Sequence, residues 1–184
     1  MISPKERERL LAILKERSVE RGTFVLASGQ TSNIYFDGKQ TTLHPEGAYL
    51  IGKILFEMLR DAKVDAVGGM TLGADPIVTS IALVSFMEGE PLPAFIIRKE
   101  PKKHGKGLWI EGKGSLSEGS PVAIIEDVVT TGKTTLQAIS RAREEGLKVV
   151  KVLAVVDREE GGREALAREG LQLGAIFKKA DLLS

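Results

Sequence analysis

The segment Val122-Ala-Ile-Ile-Glu126-Asp127-Val-Val-Thr130-Thr131-Gly132-Lys133-Thr134-Thr135 limits the possible folds of this chain more than any other. It reads as an apolar strand followed by two acids, a turn of small residues and the start of a helix. At the end of a parallel strand, such a turn directs successive backbone N–H groups, and the N-terminus of the next helix, toward a phosphate. Thr130, Thr131, Thr134 and Thr135 add hydroxyl donors without filling the space. Glu126 and Asp127 repel a bare phosphate, but they suit ribose hydroxyls or the water around a divalent ion. Together these residues imply a ligand that carries both a phosphate and a polyol.

The rest of the chain supplies a scaffold for that turn. Pro4 fronts an amphipathic helix over about residues 5–17, with Leu10, Ile13 and Leu14 on one stripe. Residues 23–35 read as strand, turn, strand around Ser28-Gly29. A second helix begins at Thr42 or His44 and runs to Arg60. Beyond it, short apolar segments at 66–68, 94–97, 122–125 and 149–156 alternate with helical segments at 75–87 and 134–145. This alternation predicts an α/β fold with a largely parallel central sheet flanked by helices, under a small N-terminal hood formed within about residues 1–40. The whole of 1–184 reads as one domain. Gly105, Gly107, Gly112, Gly114 and several lysines make 100–117 a long exposed loop.

Charge and composition exclude other chemistries. Lys and Arg total 26 against 25 Asp and Glu, so no global field attracts nucleic acid or an acidic membrane. With no cysteine and only two histidines, a thiolate site is excluded and a zinc centre has little material. A hard ion held partly by substrate phosphates remains compatible. Residues 1–17 lack the apolar core of a signal peptide, and no window approaches the roughly eighteen apolar residues of a membrane span, so a cytoplasmic location is expected.

Two other readings compete for the 122–135 segment. Gly132-Lys133-Thr134 invites comparison with a nucleotide-triphosphate loop, but Asp127 stands where that motif needs its first glycine. Alternatively, the acids merely cap the loop and the threonines merely turn the chain.

On these residues the segment resembles the phosphoribosyl pyrophosphate signature of type I phosphoribosyltransferases. The resemblance implies that Glu126 and Asp127 face the ribose hydroxyls, while Val128, Val129, Thr130, Thr131, Gly132, Lys133 and Thr134 cradle the 5-phosphate. Three further segments narrow it to the orotate phosphoribosyltransferase family. Arg98-Lys99-Glu-Pro-Lys102-Lys-His104-Gly105 resembles that family's catalytic loop, Ser28-Gly29 through Tyr35-Phe36 its N-terminal substrate segment, and Asp157-Arg158-Glu-Glu-Gly161 its arginine-containing loop. The implied reaction transfers ribose 5-phosphate from phosphoribosyl pyrophosphate to orotate, forming orotidine 5-phosphate and pyrophosphate for pyrimidine biosynthesis. Magnesium is the implied cofactor, held mainly through substrate and water with Glu126 and Asp127 nearby. The implied assembly is a homodimer in which Lys102 and His104 of one subunit close over the other's site.

Each carried-over role has a physical reading. Pyrophosphate is a densely charged leaving group, and Arg98, Lys99 and Lys102 can compensate its charge. By the resemblance, Lys102 is the leading catalytic residue, Asp127 and His104 are catalytic beside it, and His104 helps bind pyrophosphate; whether His104 also moves a proton stays open. Any one loop lysine taken alone reads more readily as a solvated surface charge, and only the loop context and the resemblance lower that reading. Arg158 offers the planar fork that binds orotate's carboxylate bidentately. Thr130 stands near both substrates, and Tyr35 and Phe36 offer a flat wall, although single aromatics are more often core residues. Many family members carry lysine where Ala27 stands and another basic residue where Gly73 stands, so pyrophosphate contacts here are fewer or arise elsewhere. A purine phosphoribosyltransferase or a non-catalytic regulator on the same fold are the rivals; Arg158 speaks against the first, intact Lys102 and Glu126-Asp127 against the second.

Overall fold

The computed structural model describes residues 3–25, 31–101 and 109–183. Helix α1 (Pro4–Arg17) starts at a capping box: the Ser3 hydroxyl accepts from the Glu6 N–H at 3.2 Å, and the Glu6 carboxylate accepts from the Ser3 N–H at 3.0 Å. A two-stranded antiparallel ribbon follows, β1 (Val19–Val25) with β2 (Thr31–Phe36), with an irregularity between Arg21 and Phe24. Short helix α2 (Lys39–Thr42) then precedes α3 (Pro45–Leu59), for which the His44 side chain provides the N-cap by accepting from the Gly47 N–H. Of the two predicted starting points for this helix, His44 is thus the cap, and Thr42 ends a separate turn.

The remaining elements build the main layer. They are β3 (Ala66–Met70), α4 (Asp75–Met87), β4 (Ala94–Ile97), β5 (Ile110–Glu111), a 3-10 turn (Lys113–Ser115), β6 (Pro121–Val129), α5 (Lys133–Glu144), β7 (Lys148–Asp157), α6 (Gly162–Arg168), β8 (Leu173–Lys178) and α7 (Lys179–Leu183). The sheet order is β5-β4-β3-β6-β7-β8, parallel throughout except for β5, which runs antiparallel along β4.

Successive residues of the central strands enter opposite layers, as strand geometry requires. Ala123, Ile125, Leu153 and Val155 pack with α1, α3, α4 and α7, whereas Val122, Ile124, Val152 and Ala154 pack with α5 and α6. Ile124 is fully buried, and truncating such a residue to Ala costs about 3 kcal/mol. Leu10, Ile13 and Leu14 join the first of these clusters, so α1 lies on the sheet, and the β1–β2 ribbon forms the separate hood.

Three sequence expectations are corrected. The 100–117 stretch is not exposed loop along its whole length: Ile110 is buried in β5 against β4, because Ile97↔Ile110 pairing covers that edge. The strand at 122–125 extends to Val129, so Glu126 and Asp127 sit inside the ladder opposite β7 rather than in the turn after it. Thr135 faces the core and is 1% exposed, so its hydroxyl does not face the turn's outer side. Segments α6, β8 and α7 were not expected at all; α6 and β8 are too short to show a period.

Candidate active site

The carboxyl ends of β3, β4 and β6 open onto one side of the sheet, where open α/β sheets place their ligands. A cavity of about 290 Å³ lies there, lined by Lys39, Met70, Thr71, Leu72, Gly73, Lys99, Glu126, Asp127, Val128 and Thr134. The structure thus brings Lys99 together with Glu126, Asp127, Val128 and Thr134 from two separate stretches of sequence. Arg98 borders a neighbouring cleft of about 500 Å³ that shares Thr71 and Lys99, and it pairs with Glu111 at 3.0 Å. Lys102, His104 and the Ser28-Gly29 turn lie outside the described residues.

Glu126 is only 5% exposed. Burial first, and the neighbouring Asp127 charge second, push its carboxyl up to about 8, while the Asp127 N–H and the charge of Lys99 pull the other way. Asp127 points its carboxylate back to the Val128 N–H at 2.8 Å and outward toward Gly73. A Cβ at position 73 would lie 2.8 Å from Asp127 Oδ1, so the absent side chain leaves space that the carboxylate occupies. The missing side chain thus gives the Asp127 carboxylate its room. The Thr71–Leu72 peptide beside it is cis.

Beyond β6 the chain turns through Thr130, Thr131 and Gly132, and Gly132 adopts φ 80°, a left-handed conformation natural to glycine. Helix α5 then begins at Lys133 without a side-chain cap, so the amides of its first turn point outward beside Thr131, Lys133 and Thr134, all exposed. The uncapped first turn of α5 thus lies next to two carboxylates. Gly162 packs against the same turn, and neither its proximity nor that of α6 was foreseen from sequence.

Arg158 follows β7, and its N–H donates to the Val129 carbonyl at 2.9 Å, which fixes the arginine loop beside the turn. Its guanidinium pairs with Glu160 at 3.1 Å, and Glu160 also holds Lys179 at 3.0 Å. Beneath it, fully buried Asp157 accepts from Arg163 at 2.9 Å and from the Glu159 N–H at 2.9 Å. Phe36 is half-buried and faces Gly38, whose missing Cβ would stand 3.4 Å from the ring and 3.5 Å from Asp127 Oδ2. Tyr35, by contrast, is 44% exposed on the ribbon against Phe24, ring centroids 5.5 Å apart. Lys39 was missed as a site residue because one lysine after Asp37-Gly38 carries no pattern. Its pairing with Asp37 at 2.7 Å, and then the Asp127 charge, raise its pKa.

An acidic pair in the last half of β6, an uncapped helix N-terminus and flanking cations are the features of a phosphosugar-handling α/β protein. The family model described as the phosphoribosyl transferase domain matches residues 38–171. The chain is 50% identical over 181 residues to an orotate phosphoribosyltransferase of Aquifex aeolicus (strain VF5), covering 97% of this chain and 98% of that one. Among solved structures, the orotate phosphoribosyltransferase of Mycobacterium tuberculosis H37Rv in complex with Fe(III) dicitrate superposes with a TM-score of 0.86 at 38% identity, covering 96% of this chain and 98% of that one. The same enzyme in complex with 5-phospho-alpha-D-ribosyl 1-diphosphate gives 0.82 at 35%, covering 97% and 99%. The chain belongs to the orotate phosphoribosyltransferase family of type I phosphoribosyltransferases.

Proposed function

We propose that this chain carries out its family's reaction, phosphoribosyl transfer from phosphoribosyl pyrophosphate to orotate with release of pyrophosphate, in the cavity between Glu126–Asp127, Lys99 and the start of α5. The observation that carries this reading is the convergence of two consecutive carboxylates, a lysine and an uncapped helix N-terminus on one cavity of about 290 Å³. The turn from Val128 to Thr134 receives the 5-phosphate through outward amides and threonine hydroxyls. Glu126 and Asp127 hold the ribose hydroxyls. Arg98 and Lys99, with Lys102 and His104, receive the pyrophosphate and compensate its charge as its bond to C1 of ribose breaks. Arg158 takes the orotate carboxylate on the opposite side of the turn by exchanging Glu160 for it. Thr130 stands between the two substrates, with Phe36 and Tyr35 toward the base. The protein's work is placement and charge compensation, with no covalent intermediate required.

Magnesium suits this site. Among the described residues no cluster of three or more His, Cys, Asp or Glu side chains forms a cage. The Asp127 carboxylate, given room by Gly73, is a hard oxygen donor that would help hold a hydrated magnesium ion bound with the substrate. When bound, such an ion neutralises charge on the pyrophosphate and ribose oxygens.

We further read 1–184 as one catalytic domain that pairs into a homodimer. Leu83, Phe86 and Met87 of α4 are 60%, 72% and 67% exposed, an apolar stripe of the kind that closed twofold pairing covers. Mixing inactive Lys102→Ala subunits with inactive Asp127→Ala subunits tests the shared site. Recovered activity in verified heterodimers supports it, and none in such heterodimers removes it. The reaction itself is tested by supplying purified protein with magnesium, phosphoribosyl pyrophosphate and either orotate or purine bases. Orotidine 5-phosphate forms from orotate; equal use of purines overturns the acceptor assignment.

A further inference from the structure

Arg141 lies on α5, eight residues beyond Lys133 and therefore about 12 Å along the helix from the phosphate turn. An exposed helix-face arginine ordinarily points its guanidinium into water. This one is half-buried and directs its donors at the ends of two sheet strands. Nη1 donates to the Arg98 carbonyl, Nη2 donates to the Lys99 carbonyl at 2.9 Å, and Nη1 also lies 3.2 Å from Met70 Sδ. Its guanidinium stacks 4.1 Å from the ring centroid of Trp109, the chain's one tryptophan. Trp109 in turn accepts the Arg98 N–H on its carbonyl at 2.9 Å.

One turn later on the same face, Glu145 holds the chain where it returns. Its Oε1 accepts from the Trp109 N–H at 3.3 Å, its Oε2 accepts from Lys113 at 3.3 Å, and its carbonyl accepts from Lys113 as well. The segments at 98–99, after β4, and at 109–113, around β5, are therefore both fastened to the helix whose N-terminus forms the proposed phosphate turn. Two of the residues that Arg141 touches, Lys99 and Met70, line the cavity beside Glu126 and Asp127. The planar fork explains why arginine stands here: two carbonyls from consecutive residues and an aromatic face need three directions at once, which an ammonium group cannot supply together.

We infer that Arg141 is a positioning residue for the pyrophosphate side of the site. It fixes the backbone at Arg98 and Lys99 and so sets where the Lys99 ammonium stands relative to the acidic pair, tying that point to the phosphate turn through the rigid body of α5. The inference rests on the proposed role of Lys99 toward phosphoribosyl pyrophosphate and adds to it the residue that aims Lys99. It is specific to one substrate, because Arg158 and the arginine loop hang from β7 and do not touch Arg141.

The test is a double-mutant cycle on the full-length protein with Lys99→Ala, Arg141→Ala and both together, reading KM for each substrate and kcat. Arg141→Ala raises KM for phosphoribosyl pyrophosphate roughly 10-fold with KM for orotate within about 2-fold, and the double variant is no worse than Lys99→Ala alone. Arg141→Lys, which keeps the charge and loses the fork, shows most of the same defect and serves if the alanine variant does not fold. Trp109 emission supplies a readout apart from turnover: it shifts when phosphoribosyl pyrophosphate is titrated into the wild type, and Arg141→Lys loses that shift. If Lys99→Ala impairs donor use while both Arg141 variants leave it unchanged, the inference falls and the site reading stands. It also falls if the Arg141 variants raise both KM values equally, or if the losses of the cycle add. Should Lys99→Ala itself leave donor KM unchanged, the role given to Lys99 is wrong, and the inference goes with it.

Discussion

Gly162 at the start of α6 packs against the backbone of Thr130 so closely that a Cβ would stand 2.7 Å from the Thr130 carbonyl oxygen and 2.4 Å from Val129 Cγ1. The α6 helix therefore buttresses the phosphate turn from behind, and a glycine is the only residue that lets the two backbones meet. Gly162→Ala forces the turn outward, at a stability cost of about 1–3 kcal/mol typical of overpacking. Donor kcat/KM is expected to fall about 10- to 100-fold, by analogy with the effect of a 1 Å misplacement of reacting groups. Steady-state kinetics with phosphoribosyl pyrophosphate varied, beside a thermal melt, check this; unchanged kinetics in a destabilised variant would confine Gly162 to the scaffold.

Glu126 makes stability depend on pH in a definite direction. Its folded pKa of about 8 lies above an unfolded value of about 4.3, so the folded state binds the proton more tightly. The associated stability is complete below the unfolded value and is lost as pH climbs through about 8. Glu126→Gln cannot ionise. Thermal melts without ligand or metal are expected to show wild type losing ground to the variant between pH 5 and pH 9, by on the order of a few kcal/mol. Parallel curves would show that Glu126 titrates normally.

Asp127→Asn keeps the side chain's size and its contact with Gly73 but removes the hard anionic oxygens. Turnover is expected to fall about 100-fold or more, with a larger requirement for magnesium and an unchanged circular dichroism spectrum. Magnesium titrations of activity decide this, and superimposable curves would remove Asp127 from metal and ribose handling.

Buried Asp157 holds the base of the arginine loop through Arg163 and the Glu159 N–H. Arg163→Ala leaves that carboxylate buried with its charge unpaired, a loss of about 3 kcal/mol at the low end for such pairs, since Arg163 itself is 46% exposed. Orotate binding is expected to weaken more than donor binding in isothermal titrations. Equal weakening would indicate general loosening of β7.

Much of this site was legible because it is written locally. Glu126, Asp127 and the Thr130-Thr131-Gly132 turn are consecutive, and strand, turn and helix chemistry all point the same way there. The parallel sheet followed from β-rich segments separated by helical ones. What escaped reading depends on contacts between distant residues. Lys39 reaches the cavity only because the turn at Gly38 brings it beside Asp127, and Gly162 matters only because α6 meets the turn. Glu126 and Asp127 read as following the strand because acids are rare in a buried ladder; pairing with β7 as far as Val129↔Asp157 carries the strand past them. Ile110 sat among glycines and lysines, and the exposed edge of β4 drew it into the sheet.

The role proposed for Arg158, as the partner of the orotate carboxylate, would separate orotate from every acceptor that lacks that group. The deciding measurement is the rate of nucleotide formation from orotate and from uracil, which is orotate without its carboxylate, in wild type and Arg158→Ala at saturating donor and magnesium. Wild type is expected to use orotate on the order of 100-fold or more faster than uracil, because uracil leaves the guanidinium without its partner, and Arg158→Ala is expected to lose most of that preference by slowing on orotate alone. Comparable wild-type rates on the two bases, or a preference that survives in Arg158→Ala, would contradict the assignment.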